Sequence, residues 1–288
     1  MKIVVVGASG MAGSVISHYL KNRGHDVRGF ARTKVNDYTD FSLDILNDIS
    51  MCNFKLEVLG RETDVIINCI GLLVKACQDN PSMAIYINSY FPHVLENMTK
   101  NTSTKVIHLS TDCIFDGKSI VPYDEYSLPT ERNWYGRSKA LGEINNDKDL
   151  TLRQSIIGPA PQVNNTGLFN WLLTQKEKTI KGFDKVFWNG ITTLELAKSI
   201  EKILVNTPQL SGIYSLLPKH IINKYELLML IKNKWNFDVN IEKVSEPESF
   251  KILDSVRKEI FPILDYKEQI DELYDYMNKH NIKVCNFY

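Results

Sequence analysis

Two hydrophobic rhythms alternate along the chain. Residues 3–6 read IVVV, a β-branched run with no polar position on either side. Such a run predicts a strand buried on both faces, as in a parallel sheet. Residues 11–20 follow with Val15, Ile16, Tyr19 and Leu20 at helical spacing. HDVRGFAR over 25–32, DVIINCIG over 64–71, KVIHLST over 105–111 and LTLRQSIIG over 150–158 predict four further strands. Helical patterns lie between them, including 82–100 and 134–145. Alternating strand and helix predicts an α/β fold, a Rossmann-type doubly wound parallel sheet with right-handed crossovers.

After Gly158 the rhythm loosens. PAPQVNNTG reads as a loop, 168–175 as a helix, 185–204 as strand then helix, 212–217 as a strand, and 225–235 and 266–280 as helices. The expected division is a Rossmann domain over 1–157, with 186–216 returning to it. A smaller C-terminal substrate-binding lobe takes 158–185 and 217–288. Open α/β sheets bind ligands beyond the carboxyl ends of their strands, so this lobe is expected to form the other wall of a cleft.

The turn after the first strand carries Gly7, Gly10 and Gly13 and opens a helix. In that setting the spacing points to a dinucleotide. Gly7 permits the turn, Gly10 lets a pyrophosphate approach the backbone, and Gly13 lets helix and strand pack closely. The helix start favours the phosphates. An acidic residue ending the second strand would bind ribose hydroxyls. The chain instead reads GFARTK, with Arg32 and Lys34 and no carboxylate before Asp37. A cation suits a 2′-phosphate and points to NADP(H); a solvated surface arginine is the plainer alternative. Asp44 either faces the adenine amino group or is an ordinary surface carboxylate.

Composition narrows the field. Hydrophobic residues make up 43% and charged residues 24% of the 288 positions, which is ordinary for a globular chain. Lys+Arg and Asp+Glu both number 34, so a nucleic-acid polymer is not an expected partner. No apolar run reaches membrane-spanning length, and MKIVVVGASG lacks the long apolar core of a signal peptide. Five cysteines without a C-x-x-C pair fit reduced thiols in a cytoplasmic protein. His108 and Cys113 lack zinc-ligand spacing, and no metal is expected. A homodimer is left open.

The candidate chemistry sits after the fourth strand. Ser110 and Thr111 end that strand, and NWYGRSK places Tyr135 and Lys139 four residues apart. Residues at that spacing share one helix face. A phenol ionises near pH ~10, and a neighbouring ammonium lowers that value. Thr111 would hold a substrate carbonyl oxygen, Tyr135 would give it a proton, and Lys139 would bind the nicotinamide ribose and tune the phenol. Trp134, Trp171 and Trp188 either stack on a base or sugar or serve as core. His108 reads as a satisfied core histidine, and Cys113 has no partner base.

GASGMAG, DVIINCIG, INSYFP, LSTDCIFDG and WYGRSKALGE together resemble the extended short-chain dehydrogenase/reductases, and most closely their dTDP-4-dehydrorhamnose reductase group. The resemblance runs over roughly 1–215 and is strongest before residue 160. It implies cofactor contacts at Gly7, Ser9, Gly10, Met11, Gly13, Arg32, Asp44, Ile45, Cys69, Ile70, Gly71 and Lys139. It implies a catalytic set of Thr111, Tyr135 and Lys139, with Asp112, Trp134, Arg153 and Trp188 toward a nucleotide-sugar substrate. The implied reaction is NADPH-dependent reduction of a 4-keto-6-deoxyhexose for surface polysaccharide. The sugar is either dTDP-4-dehydro-L-rhamnose or a UDP-linked N-acetylhexosamine. The group's C-terminal arginine–proline motif is not recognisable in SFKILDSVRK, and Trp134 stands where a small or apolar residue is usual. Cys113 follows Asp112 where the related dehydratases carry a glutamate, which argues against elimination chemistry. An NAD-dependent epimerase and a non-catalytic NADP-binding regulatory subunit are the alternatives.

Overall fold

The computed structural model describes residues 1–33, 39–161, 167–257 and 260–282. Seven strands form its central sheet: β1 (Lys2–Val6), β2 (Asp26–Ala31), β3 (Phe41–Ser42), β4 (Val65–Asn68), β5 (Lys105–Leu109), β6 (Leu150–Arg153) and β7 (Gly212–Ser215). All pairings are parallel, and the spatial order is β7-β6-β5-β4-β1-β2-β3. The chain leaves β1 toward one edge and returns at β4 on its other side. The crevice above β1 and β4 is therefore the switch point of a Rossmann-type sheet.

The unbroken apolar runs follow from burial on both faces. Val4, Val6, Ile66 and Val106 pack against Phe54 and Val58 of the helix Asp48–Gly60 and Phe91 and Leu95 of the helix Phe91–Thr99. Ile3, Val5, Ile67 and Ile107 face the other way, toward Val15, Ile16 and Leu20 of the helix Met11–Asn22 and Leu196, Ile200 and Ile203 of the helix Thr193–Asn206. Each such side chain contributes about 1.5–3 kcal/mol by leaving water.

The later part of the chain builds short sheets on the same core. Thr179–Phe183 pairs with Asn240–Val244, and Val186–Trp188 lies between Ile222–Asn223 and Ser249–Phe250. The helices Lys224–Trp235 and Tyr266–Lys279 each begin with a capping box, Asn223 with Glu226 and Asp265 with Glu268. Leu227, Ile231, Ile241, Ile270 and Leu273 join the cluster that covers β1.

Three details depart from the sequence pattern. The two-residue β3 was not foreseen, because it is too short to show alternation. The pattern over 82–100 contains a π-helical turn, Ile85–Tyr90, between Pro81–Ala84 and Phe91–Thr99. The helix expected to reach 145 ends at Leu141, capped by Gly142.

Candidate functional site

The glycine turn is sterically committed. Gly7 adopts φ +86, and its N–H donates to the Phe30 carbonyl at 2.7 Å. A β-carbon on Gly13 would sit 2.2 Å from the Gly7 carbonyl oxygen, so only glycine lets the helix Met11–Asn22 start this close to β1. Gly10 caps that helix without any side-chain bond, which leaves its first-turn N–H groups facing the loop mouth. Ser9, Gly10 and Met11 are partly exposed there.

The backbone of Cys69 and Ile70 closes the same crevice, 3.0 Å from where a Gly7 side chain would begin. Asn68 holds this segment by accepting the Ile70 N–H at 3.1 Å. Gly71 follows, and a side chain there would approach Asn88 Oδ1. Arg32 is exposed just beyond β2; Lys34 and Asp37 lie outside the described residues. Asp44 is exposed, and its Oδ1 accepts the Leu46 N–H at 3.0 Å. Ile45 is buried, and its carbonyl accepts the Tyr86 hydroxyl at 3.1 Å.

At the carboxyl end of β5, Thr111 caps the short 3-10 turn Asp112–Ile114. Its Oγ1 accepts the Cys113 N–H at 3.1 Å and donates to Asp112 Oδ1 at 3.1 Å. The helix Trp134–Leu141 starts at Asn133, whose side chain accepts the Gly136 N–H at 2.9 Å. It brings the Tyr135 phenol against the Thr111 hydroxyl, with Cys113 and Asp112 beside it. Burial pushes the phenol well above its ordinary range; Cys113 adds to this, and the Thr111 hydroxyl opposes it. In this pocket burial is the largest influence on the phenol, and it favours the protonated form.

Lys139 lies one turn further on, fully buried. Its Nζ donates to the Leu109 carbonyl at 2.5 Å and lies 3.3 Å from His108 Nε2. Burial lowers its pKa to about 8, against the opposing charge of Glu143. The Cys113 thiol is pushed up to about 12 by burial and by Asp112, which disfavours the thiolate.

Two expected substrate contacts have other employment. Arg153 gives Nε and Nη2 to Glu143 at 2.9 and 2.8 Å and Nη1 to the Asp124 carbonyl at 3.0 Å, and it stacks on Phe115. Its guanidinium is consumed by a buried ion pair and a loop. Trp188 is 6% exposed and packs on Tyr266, with ring centroids 5.8 Å apart, so its indole fills the core. Trp134 stays half-buried with Arg137 over its ring. Asp112 remains at the site, buried beside Thr111.

Sequence reading passed over Asn88 and Lys251. Asn88 sits in the π-helical turn and bonds both the loop after β4 and the Trp134–Leu141 helix. Lys251 reaches the site from the C-terminal part, paired with Glu131 at 3.2 Å and close to Asp112 and Cys113. Asn88 lies within INSYFP but was not singled out there, and Lys251 had no motif to announce it. Among the described residues, no group of three or more His, Cys, Asp or Glu is placed to hold a metal ion, and no helix is long and apolar enough to cross a membrane.

Known proteins are similar to this chain in sequence or in fold. A probable low-salt glycan biosynthesis reductase of Haloferax volcanii is 34% identical over 164 residues, 54% of each chain, so the match spans about half of that relative. The spore coat polysaccharide biosynthesis protein SpsK of Bacillus subtilis is 24% identical over 86% of this chain and 84% of its own. A dTDP-4-dehydrorhamnose reductase from Bacillus anthracis, solved in complex with NADP, superposes with a TM-score of 0.77 at 20% identity, over 96% of this chain and all of that one. The family model described as the RmlD substrate binding domain matches residues 1–258, and the chain belongs to that family.

Proposed function

We propose that the protein is an NADPH-dependent reductase of a nucleotide-linked 4-keto-6-deoxyhexose, acting in the supply of a polysaccharide or glycan precursor. The observation that carries this reading is the meeting of the Thr111 and Tyr135 hydroxyls at the end of β5, with Lys139 one turn along the same helix. The relatives named as glycan and spore coat biosynthesis proteins support the substrate class.

The crevice fits a dinucleotide. A β-carbon on Gly13 would collide with the Gly7 backbone, so glycine there holds the helix start against β1, where its N–H groups are offered to phosphates. Gly7, Ser9, Gly10, Met11 and Gly13 would line the pyrophosphate. Arg32 would take a 2′-phosphate, with Asp44 and Ile45 toward the adenine. Cys69, Ile70 and Gly71 would run along the dinucleotide, and Lys139 would bond the nicotinamide ribose. When bound, the cofactor supplies the hydride.

The chain's own groups manage the proton. Thr111 orients the carbonyl oxygen, and Tyr135, held as a phenol by burial, donates to that oxygen as negative charge develops on it. Residues 158–185 and 217–288 would supply the wall of the cleft facing the sheet, where Lys251 stands near Asp112. The test is NADPH oxidation in single turnover with dTDP- and UDP-linked 4-keto sugars. Turnover with one of them is expected, and Tyr135→Phe should bind NADPH but lose turnover. Undiminished turnover in that variant overturns the assigned acid.

A further inference from the structure

Lys139 shares its pocket with a histidine whose tautomer can be read from its partners. Asn68 is fully buried at the end of β4, and its Oδ1 accepts the Ile70 N–H at 3.1 Å. A backbone N–H cannot accept, so this bond fixes the amide's orientation. Its Nδ2 then faces His108 Nδ1 at 3.1 Å and must donate to it. His108 is fully buried, and burial, with Lys139 adding like charge, holds its pKa well below the ordinary value. A neutral imidazole that accepts at Nδ1 carries its proton on Nε2. That N–H points at Lys139 Nζ, 3.3 Å away.

An ammonium has three donors and no acceptor, whereas an amine has a lone pair. Facing a fixed Nε2–H, the ammonium meets a second donor, while the amine accepts a hydrogen bond. We propose that Asn68 and His108 are positioning residues that set the protonation of Lys139, by locking an imidazole tautomer that favours amine over ammonium. The other groups facing Lys139 push the opposite way or are neutral. Glu143 favours the ammonium, but Arg153 and Ser110 share its carboxylate. Cys69, pushed up to about 12, and Cys77, also raised, remain thiols. Tyr135 remains a phenol. The Leu109 carbonyl accepts from either form and more strongly from the ammonium. A lysine so placed changes charge near neutral pH, where its hold on a ribose is strengthened or relaxed by one proton. That consequence rests on the reductase reading; the titration does not.

The test is a pH titration of the chain labelled with ¹³C-lysine. The Lys139 Cε resonance is assigned by its loss in Lys139→Arg. The midpoint for the native chain is expected about two units below the ordinary lysine value. His108→Phe removes the opposing N–H. Asn68→Leu frees the imidazole to turn its acceptor toward Nζ without adding charge. Each should raise the midpoint by about one unit, a tenfold gain in proton affinity. Should His108→Phe not fold, Asn68→Leu decides. A purely structural role would lower the melting temperature and leave the midpoint in place. An unmoved midpoint in the folded variants, or an ordinary lysine midpoint in the native chain, overturns the proposal. Shifted midpoints in a chain that neither binds nor oxidises NADPH would overturn the reductase reading alone.

Discussion

The Asn88 amide donates to the Ser138 hydroxyl at 3.1 Å while its Oδ1 accepts the Leu72 N–H at 2.7 Å. One buried side chain thus ties the loop after β4 to the helix that carries Tyr135 and Lys139. Its Nδ2 also donates to the Leu72 carbonyl at 3.0 Å. Asn88→Ala would strand these backbone groups without partners, a loss of about 1–3 kcal/mol. The expected outcome is a lower urea midpoint together with weaker NADPH binding, read by fluorescence titration. A loss of stability with unchanged binding would show that the tie does not organise the crevice.

The hydroxyl pair should act as one unit. Tyr135→Phe removes the proton donor and is expected to lower kcat by about 10²–10⁴-fold. Thr111→Val removes the group that aligns the carbonyl with that donor. The double variant should fall little below the worse single one, since groups acting in one step are not additive. Multiplicative losses in single-turnover kinetics would place the two in separate steps.

Gly13 offers a steric test of the crevice. In Gly13→Ala the new β-carbon would sit 2.2 Å from the Gly7 carbonyl oxygen, with both contacting groups held by backbone. The helix start must move away from β1, at a cost of about 1–3 kcal/mol. NADPH affinity should fall at least tenfold, measured by titration at a temperature where the variant remains folded. Unchanged affinity would mean that the phosphates do not sit on this turn.

Arg153 separates a structural role from a substrate role. Arg153→Met leaves Glu143 buried without its partner, and breaking such a pair typically costs about 3–5 kcal/mol. Replacing both, Arg153→Met with Glu143→Leu, should recover much of that stability. A substrate role would instead show as a raised KM with an unchanged denaturation midpoint. The two outcomes are read from urea curves and steady-state kinetics on the same preparations.

Much of the fold was legible because burial on both faces writes long apolar runs. Val4, Ile66 and Val106 belong to short β-branched runs, and length and composition rather than periodicity mark these as strands. The glycine turn was legible for a related reason: its geometry permits few residue types. Arg153 and Trp188 were left undivided between site and core because a cation or an indole has the same letter whether it faces a ligand or a core neighbour. The π-helical turn around Asn88 was hidden because its residues keep helical composition. Lys251 was hidden because tertiary folding alone brings it to Asp112 from more than a hundred residues away.

His18 should make the protein sensitive to mild acid. It lies in the helix Met11–Asn22 against Tyr276 and His280 near the end of the chain, and the Tyr276 hydroxyl bonds its Nδ1. Burial, with His280 adding like charge, lowers its pKa to about 4. An unfolded histidine titrates near ~6.5, so between the two values the unfolded chain binds a proton that the native one refuses. The stability is fully present above the unfolded value and is lost as pH falls toward the folded one. His18 contributes on the order of 2 kcal/mol to this loss. His108, lowered the same way, adds to the slope. His18→Gln keeps a polar partner for Tyr276 but cannot titrate. Urea midpoints at pH 7 and pH 5 should therefore differ less in His18→Gln than in the native chain. Equal differences in both would show that protonation of His18 does not oppose folding.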